Sequence, residues 1–93
     1  MTQAYRYQFR QGVELRDAED TLLLALLAAE GVFGEARVRM DGGYSPDRDA
    51  RTLTVDATTA VGQFANAVFM AYILKEFGRD AFTVRRLAGE VAA

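Results

Sequence analysis

The sequence predicts a two-layer α+β sandwich, in which a four-stranded antiparallel sheet carries two helices on one face. Three observations support this prediction. Four short segments alternate between apolar and polar residues, as strands with one buried face do. Two longer segments, residues 17–30 and 59–77, are apolar at helical spacing. Stretches that contain glycine separate these segments, and their order is strand, helix, strand, strand, helix, strand.

The first strand and helix are predicted from the N-terminal third of the chain. Residues 4–10 contain the stretch YRYQFR, in which aromatic and polar residues alternate, and Gly12 follows in a turn. Asp17 is the predicted N-cap, because its carboxylate can accept hydrogen bonds from the free N–H groups of the first turn. The helix is expected to run to about Glu30, with Gly31 as its left-handed C-terminal residue.

Two strands joined by a hairpin loop are predicted from the middle of the chain. Residues 35–41, EARVRMD, alternate again and predict the second strand. Residues 42–50 contain the glycines, aspartates and only proline that are typical of a loop. Residues 51–56, RTLTVD, predict the third strand, since Thr and Val favour extended structure.

The last helix and strand complete the predicted fold. Thr58 or Thr59 is expected to cap the second helix, and Gly78 is expected to end it. Residues 82–87, FTVRRL, predict the fourth strand. The final stretch, AGEVAA, residues 88–93, is expected to fray. The whole chain, residues 1–93, is interpreted as a single domain.

The order βαββαβ resembles the ferredoxin-like superfold, through topology alone and over nearly the whole chain. That resemblance implies both helices on one face of the sheet. It implies no activity, because the superfold includes electron carriers, RNA binders, ligand-sensing domains and enzymes. The stretch DATTAVGQ…KEFGRDAFTVRRL is also similar to that of small uncharacterised bacterial proteins, which implies a bacterial origin and again no activity.

The composition disfavours several classes of function. The chain has no Cys and no His, so thiol chemistry, thiolate metal sites and the commonest general base are absent. The excess of 13 acidic over 11 basic residues argues against a nucleic-acid partner. No apolar run reaches the ~20 residues of a membrane span, and the N-terminus has no apolar signal core. We expect a cytoplasmic protein without a cofactor, and an enzyme that uses carboxylates and Arg is only the third alternative.

Two stretches contain residues that could bind a ligand, but helix capping and the helix dipole explain both. Glu14, Asp17 and Asp20 could hold a metal ion, but acidic residues are also favoured near a helix N-terminus by the helix dipole. The stretch DATTAVG, residues 56–62, could bind an anion at the start of the second helix. Capping by a threonine accounts for it without a ligand. No metal site is therefore predicted.

The alternation in the first strand determines which face of the sheet is buried. Tyr5, Tyr7 and Phe9 are predicted to face the helices, because the opposite choice would bury two unpaired guanidinium groups. Base stacking by exposed aromatics, as on an RNA-binding sheet, is thereby excluded. The other residues predicted to face the helices are Ala36, Val38, Met40, Leu53, Val55, Phe82 and Val84.

The opposite face of the sheet is predicted to be open and rich in Arg and Thr. A solvated sheet face accounts for this composition. The alternatives are a surface that binds an anion, a phosphate backbone or an acidic partner, and self-association if Asp47 and Asp49 meet the arginines of a second copy. Gln8 and Thr83 share this face. The candidate anion- or ligand-binding residues are Arg6, Arg10, Arg37, Arg39, Arg85, Thr52 and Thr54.

Both helices have more apolar surface than one sheet can cover. The leucines of TLLLALLAAE spread over an arc of roughly 200°, whereas a helix on a sheet needs an apolar stripe of little more than ~100°. The second helix is apolar almost all round. Such an excess predicts an interface, most simply a twofold homodimer, with a different protein as the alternative. The candidate interface residues are Leu24, Phe69, Met70, Ile73 and Phe77.

The sequence therefore predicts a small interaction or structural module that self-associates through its helices. An anion- or ligand-binding module that uses the open face of the sheet is the alternative. The hairpin loop, residues 42–50, is longer than a minimal hairpin needs and could carry recognition. The sequence specifies no ligand, partner or pathway.

Overall fold

A computed structural model describes residues 2–89 and shows an α+β fold with a four-stranded antiparallel sheet, as predicted. The prediction of only two helices is wrong, because a third α-helix replaces the expected second strand. Residues 90–93 of the stretch expected to fray lie outside the described residues. The elements are β1 (Thr2–Phe9), α1 (Leu15–Phe33), α2 (Glu35–Asp41), β2 (Tyr44–Asp47), β3 (Thr52–Asp56), α3 (Ala60–Glu76), a 3₁₀ turn (Arg79–Ala81) and β4 (Phe82–Gly89).

The strands lie in the order β2-β3-β1-β4, and all neighbours are antiparallel. β1 is a central strand that pairs with β3 on one side and with β4 on the other. β1 and β2 therefore run parallel with β3 between them, and β3 and β4 run parallel with β1 between them. Helices α1 and α3 cover one face of the sheet and leave the other face open.

The core lies between the sheet and helices α1 and α3. Tyr7 and Phe9 of β1 are buried, which confirms the predicted direction of the aromatic side chains. The Tyr7 ring meets the Phe69 ring edge to face, with 4.8 Å between ring centroids. Leu22 of α1 and Ile73 of α3 complete this cluster from above. Edge-to-face pairs add about 0.5–1.5 kcal/mol to the effect of burial.

Tyr7 also carries a polar atom into the core. Its hydroxyl donates a hydrogen bond to Oδ1 of Asn66 over 2.5 Å, so the buried O–H group has a partner. Burial raises the pKa of Tyr7 well above its ordinary value, and the nearby Tyr5 contributes in the same direction. The hydroxyl therefore stays protonated in the folded protein at every ordinary pH.

The ends of α1 differ from the predicted ends. The helix begins at Leu15 and has Glu14 at the N-cap position without a side-chain cap, so the prediction that Asp17 caps it is wrong. Asp17 lies in the first turn, where a carboxylate still favours the helix dipole. The helix passes Gly31 and ends at Phe33, because it is Gly34 that adopts the positive φ of 89°.

Residues 35–41 form helix α2, and the prediction of a strand there is wrong. Two ion pairs at i,i+4 spacing stabilise the helix: Glu35 with Arg39 at 2.9 Å, and Arg37 with Asp41 at 3.5 Å. In each pair side chains four residues apart meet on the same helix face. These side chains are largely exposed, so each pair contributes only a few tenths of a kcal/mol.

Of the alternating apolar residues that predicted a strand at residues 35–41, only one is buried in helix α2. Val38 is the buried residue of this helix, and it joins a small apolar cluster with Val61 of α3 and Ala29 of α1. Ala36 and Met40 are exposed, Met40 by 84 %. Ala36 and Met40 are each two positions from Val38. A helix turns by ~100° per residue, so these two side chains point away from the side of the helix on which Val38 lies.

The second strand forms inside the predicted hairpin loop. β2 is an edge strand, and this position tolerates Pro46, which has no N–H group to donate. The turn that follows is closed by the Asp47 carboxylate, which accepts a hydrogen bond from the Ala50 N–H over 3.1 Å. The connection between β2 and β3 is thus a short turn at residues 48–51 rather than a nine-residue loop.

Arg51 fastens the end of β1 to this turn. It adopts a φ of 58°, which is uncommon for a residue with a side chain. Its guanidinium donates hydrogen bonds to the carbonyl oxygens of Phe9, Arg10 and Val13. Charge-assisted bonds to three carbonyls stabilise the conformation of the β1–α1 connection and offset the strain at Arg51.

The junction between β3 and α3 requires a glycine. The Thr59 hydroxyl caps α3 by accepting a hydrogen bond from the Gly62 N–H over 3.0 Å, as predicted for Thr58 or Thr59. The helix ends at Glu76, just before Gly78, in agreement with the predicted end. A Cβ at Gly62 would lie 2.1 Å from the carbonyl oxygen of Asp56, so only glycine allows this close approach.

We predict that Gly62→Ala destabilises the protein by at least about 2–3 kcal/mol, because the backbone of β3 or α3 must move to admit the methyl group. Gly31→Ala is the matched control. It lies in α1, and apart from the adjacent backbone of that helix no atom lies within 4 Å of an added Cβ. The substitution should raise stability by about 0.5–1 kcal/mol. Thermal unfolding of both variants measures the difference, and equal melting temperatures would contradict the close approach.

We predict that Tyr7 makes the protein less stable as the pH rises above about 10. The pKa of Tyr7 is higher in the folded protein than in the unfolded chain. Its contribution to the free energy of unfolding is therefore complete below the unfolded-state pKa. Above that pKa the contribution is lost by up to about 1.4 kcal/mol per pH unit. Tyr7→Phe should cost about 1 kcal/mol at pH 8 and flatten the alkaline loss. Urea unfolding at pH 8 and pH 11 tests this prediction, and Tyr72→Phe, at an exposed position, is the control. The prediction would be refuted if Tyr7→Phe and Tyr72→Phe lost the same unfolding free energy between the two pH values.

Candidate functional site

The open face of the sheet presents two rows of polar side chains that run across all four strands. In the first row, Ser45 of β2 lies opposite Thr54 of β3, Thr54 lies opposite Arg6 of β1, and Arg6 lies opposite Arg85 of β4. Adjacent strands lie about 4.8 Å apart, so neighbours in this row are within reach of each other.

The second row follows two residues along each strand. It consists of Asp47, Thr52, Gln8 and Thr83, in the same strand order. Together the two rows and Ala50 line a concavity of about 610 Å³. We call this surface the open sheet face.

The two arginines of the open sheet face have no counter-charge. Arg6 and Arg85 are directly opposite each other, and neither forms a salt bridge with any residue in the described range 2–89. Arg6 Nε donates a long hydrogen bond of 3.4 Å to the Thr54 hydroxyl. Like charges that face each other across a strand pair are destabilising, so this arrangement is a cost to the fold.

The acidic residue of the open sheet face lies away from the arginines. Asp47 is on the edge strand β2, with β3 between it and the strand of Arg6, and its carboxylate is engaged with the Ala50 N–H. Gln8 directs its amide towards the Ala50 carbonyl over 3.4 Å. The surface is therefore positive at the β1–β4 side and carries one carboxylate at the β2 side.

Four of the seven predicted ligand-binding residues meet on this surface: Arg6, Arg85, Thr52 and Thr54. Arg10 lies next to them, because it lines a shallow depression of about 250 Å³ together with Gln8 and Thr83.

The other two predicted residues, Arg37 and Arg39, are not on the sheet at all. Both belong to α2, where Arg37 pairs with Asp41 and lies over the Phe33 ring, 5.0 Å from its centroid. Arg39 pairs with Glu35. The i,i+4 spacing of opposite charges in EARVRMD was the sequence signal for this helix.

Sequence reasoning assigned Ser45 and Asp47 to a loop, whereas β2 brings both onto the open sheet face. They are two residues apart in YSPD, so their positions fit one face of a strand. Proline and the neighbouring aspartates concealed that signal, because these residues are also typical of turns.

A second surface is apolar and lies on the outer side of α1. Leu23, Leu24 and Leu27 are exposed by 47 %, 57 % and 59 %. We call these three residues the leucine surface. They line a groove of about 640 Å³ that Val38 of α2 and Tyr44 of β2 close on the far side.

The predicted helix interface is only partly exposed. Leu24 is exposed, but Phe69 and Ile73 are completely buried, so the expectation that they face outwards is wrong. Met70 and Phe77 are half-buried and pack against the same core. Helix α3 buries more of its surface than expected because α1 lies along one flank and α2 covers part of another.

Tyr44 connects the groove to α1. Its hydroxyl donates a hydrogen bond to Glu19 over 3.2 Å, and Arg48 approaches the same carboxylate to 3.5 Å. Burial raises the pKa of Tyr44, as do its hydrogen bond to Glu19 and the negative charges of Glu19 and Asp20. These contacts hold the edge strand β2 against the helix layer.

The described residues offer neither a metal site nor a membrane span. Among residues 2–89, no three carboxylates are grouped closely enough to hold a metal ion, and this includes Glu14, Asp17 and Asp20. In the same range, no helix has the length and apolar character needed to cross a bilayer.

Comparison of the chain with protein-family models, with curated proteins and with solved structures finds no match.

Proposed function

We propose that this chain is a small interaction module, two copies of which associate about a twofold axis through the leucine surface. The observation that carries the proposal is the exposure of three large apolar side chains side by side on one helix. Single exposed leucines are ordinary, but a contiguous apolar patch beside a groove marks an interaction surface.

The shape of this surface favours a second copy as the occupant. Leu24 lies between two depressions: the groove that it shares with Leu27, and a depression of about 360 Å³ that it shares with Tyr72 of α3. A projecting side chain flanked by hollows can fit the same arrangement on a rotated copy. A twofold interface requires this kind of self-complementarity.

The charges at the rim of the groove also suit a second copy. Glu30 and Arg39 both line it, so the rim carries one acid and one base. A twofold axis can bring the acid of one copy near the base of the other, whereas a rim of one sign would repel its own copy. Rim charges affect orientation and association rate more than affinity, which the leucines supply.

We also infer that the fold belongs to the ferredoxin-like superfold. The two parallel strand pairs, each split by one antiparallel strand, support this assignment. Helix α2 departs from the two-helix pattern and is an addition between α1 and β2. The superfold implies no chemistry, and the absence of His and Cys from the sequence supports a non-enzymatic role. The cytoplasmic location and bacterial origin remain predictions.

We predict that Leu24→Glu converts the dimer into a monomer, because the interface would then bury an unpaired carboxylate. Val32→Glu is the matched control: Val32 is on the same helix and 61 % exposed, but it does not line the groove. Light scattering behind a sizing column, over a hundredfold dilution, gives the mass of each form.

The expected result is a dimeric wild type and a dimeric Val32→Glu variant at the higher concentrations, with a folded Leu24→Glu monomer throughout. A wild type that is monomeric at every concentration would overturn the proposal. Dimers that persist in Leu24→Glu would place the interface elsewhere. Circular dichroism of each variant verifies that loss of mass does not reflect unfolding; both substituted side chains are exposed, so the fold is expected to persist.

A further inference from the structure

We propose that the open sheet face binds an oxyanion, the phosphate or carboxylate group of a small molecule, between the guanidinium groups of Arg6 and Arg85. This site is separate from the leucine surface. It lies on the side of the sheet away from the helices, and its test does not depend on self-association.

The register of the sheet brings the two guanidinium groups together. Arg6 and Arg85 occupy directly opposite positions on β1 and β4. Their Cα atoms are about 4.5–5.5 Å apart at such positions, so both side chains can reach one anion. Arg6 uses Nε towards Thr54, which leaves its terminal nitrogens without an acceptor among residues 2–89. A planar guanidinium group binds carboxylate or phosphate through two parallel hydrogen bonds.

The unbalanced charge of this pair points to a ligand. Among residues 2–89, Arg37, Arg39 and Arg48 pair with acidic side chains, and the other arginines form no salt bridge in that range. Arg6 and Arg85 are distinctive because they lie directly opposite each other and line the same concavity without a counter-charge among the described residues, although the whole chain is net acidic. An anion between them would turn a repulsive pair into two attractive contacts.

The remaining lining indicates the kind of small molecule. The concavity of about 610 Å³ is within the usual range of ~300–1,000 Å³ for small-molecule sites. No aromatic side chain lines it, so base stacking contributes nothing and a nucleic-acid strand is disfavoured. The hydroxyl groups of Thr54 and Thr83 and the Asp47 carboxylate can hydrogen-bond to polar groups of the ligand, whereas Thr52 is buried. A hydroxyl-bearing organic phosphate or carboxylate fits this pattern.

The first test is a titration with inorganic phosphate, followed by amide chemical shifts in NMR, with ionic strength held constant by sodium chloride. Constant ionic strength separates a bound anion from general screening. We expect saturable shifts of the amides around Arg6 and Arg85 in the wild type. Arg85→Gln should weaken phosphate binding at least about tenfold, because one charge-assisted contact is lost. Arg37→Gln, the same change on α2, should leave the affinity unaltered.

A second readout uses the repulsion between the two arginines. In buffer without phosphate or carboxylate ions, Arg85→Gln should raise the melting temperature by about 1–5 °C, since it removes a like-charge cross-strand pair. Phosphate should raise the melting temperature of the wild type but not that of this variant. If Arg85 destabilises the fold without a ligand and binds phosphate, its replacement should both raise the melting temperature without phosphate and abolish the rise that phosphate causes. If Arg85 were only structural, its replacement would lower the melting temperature.

Parallel titrations with acetate and with a short single-stranded DNA identify the source of the anion. Binding of phosphate alone assigns an organic phosphate, and equal binding of acetate extends the site to carboxylates. Three results would overturn the proposal: no saturable shift with either anion, equal affinity in Arg85→Gln and the wild type, or much tighter binding of the DNA than of phosphate. The last result would assign the surface to a nucleic-acid backbone instead.

Discussion

The fold depends on the direction of the side chains in β1. A guanidinium group buried without a partner costs several kcal/mol, so Arg6 must face away from the helices. Side chains alternate along a strand, and Tyr7 and Phe9 are therefore committed to the core. Because β1 is a central strand and pairs with both β3 and β4, its register places Leu53 opposite Tyr7 and Phe82 opposite Phe9. A shift of one residue would exchange the two faces of the sheet.

Helix α2 covers a small part of the apolar surface of α1 and α3. The turn at Gly34, with φ at 89°, lets the chain fold back so that Val38 reaches Ala29 and Val61. This small cluster covers Ala29 on one side of α1 and Val61 at the start of α3. The leucine surface stays exposed beside α2, which is seven residues long and ends at Asp41. The excess of leucine in α1 therefore remains exposed. In α3, Phe69 and Ile73 are buried in the core, whereas Tyr72 and Leu74 are exposed.

The molecule thus carries two different surfaces on opposite sides of the sheet. The leucine surface is apolar, and the physical property it offers is removal of hydrocarbon from water. The open sheet face is polar and positive at the β1–β4 side, and it offers directional hydrogen bonds and charge. A dimer of the kind proposed would leave the open sheet face of each copy accessible, so the two proposals are compatible with each other.

Local patterns in the sequence determined the α+β class, strands β1, β3 and β4, the inward aromatics, a threonine cap at residue 58 or 59, and the placement of Arg6, Arg85, Thr52 and Thr54 on the open face, but they misplaced Arg37 and Arg39. Each correct prediction follows from spacing or capping among residues close in the chain. Only the tertiary structure decided that EARVRMD is a helix and YSPD a strand. In both stretches the local signal was ambiguous: Val38 gains burial only as part of a helix against α1 and α3, and β2 exists only because β3 supplies its hydrogen-bond partners. Burial and strand pairing are long-range interactions, and a short window of sequence does not contain the residues that provide them.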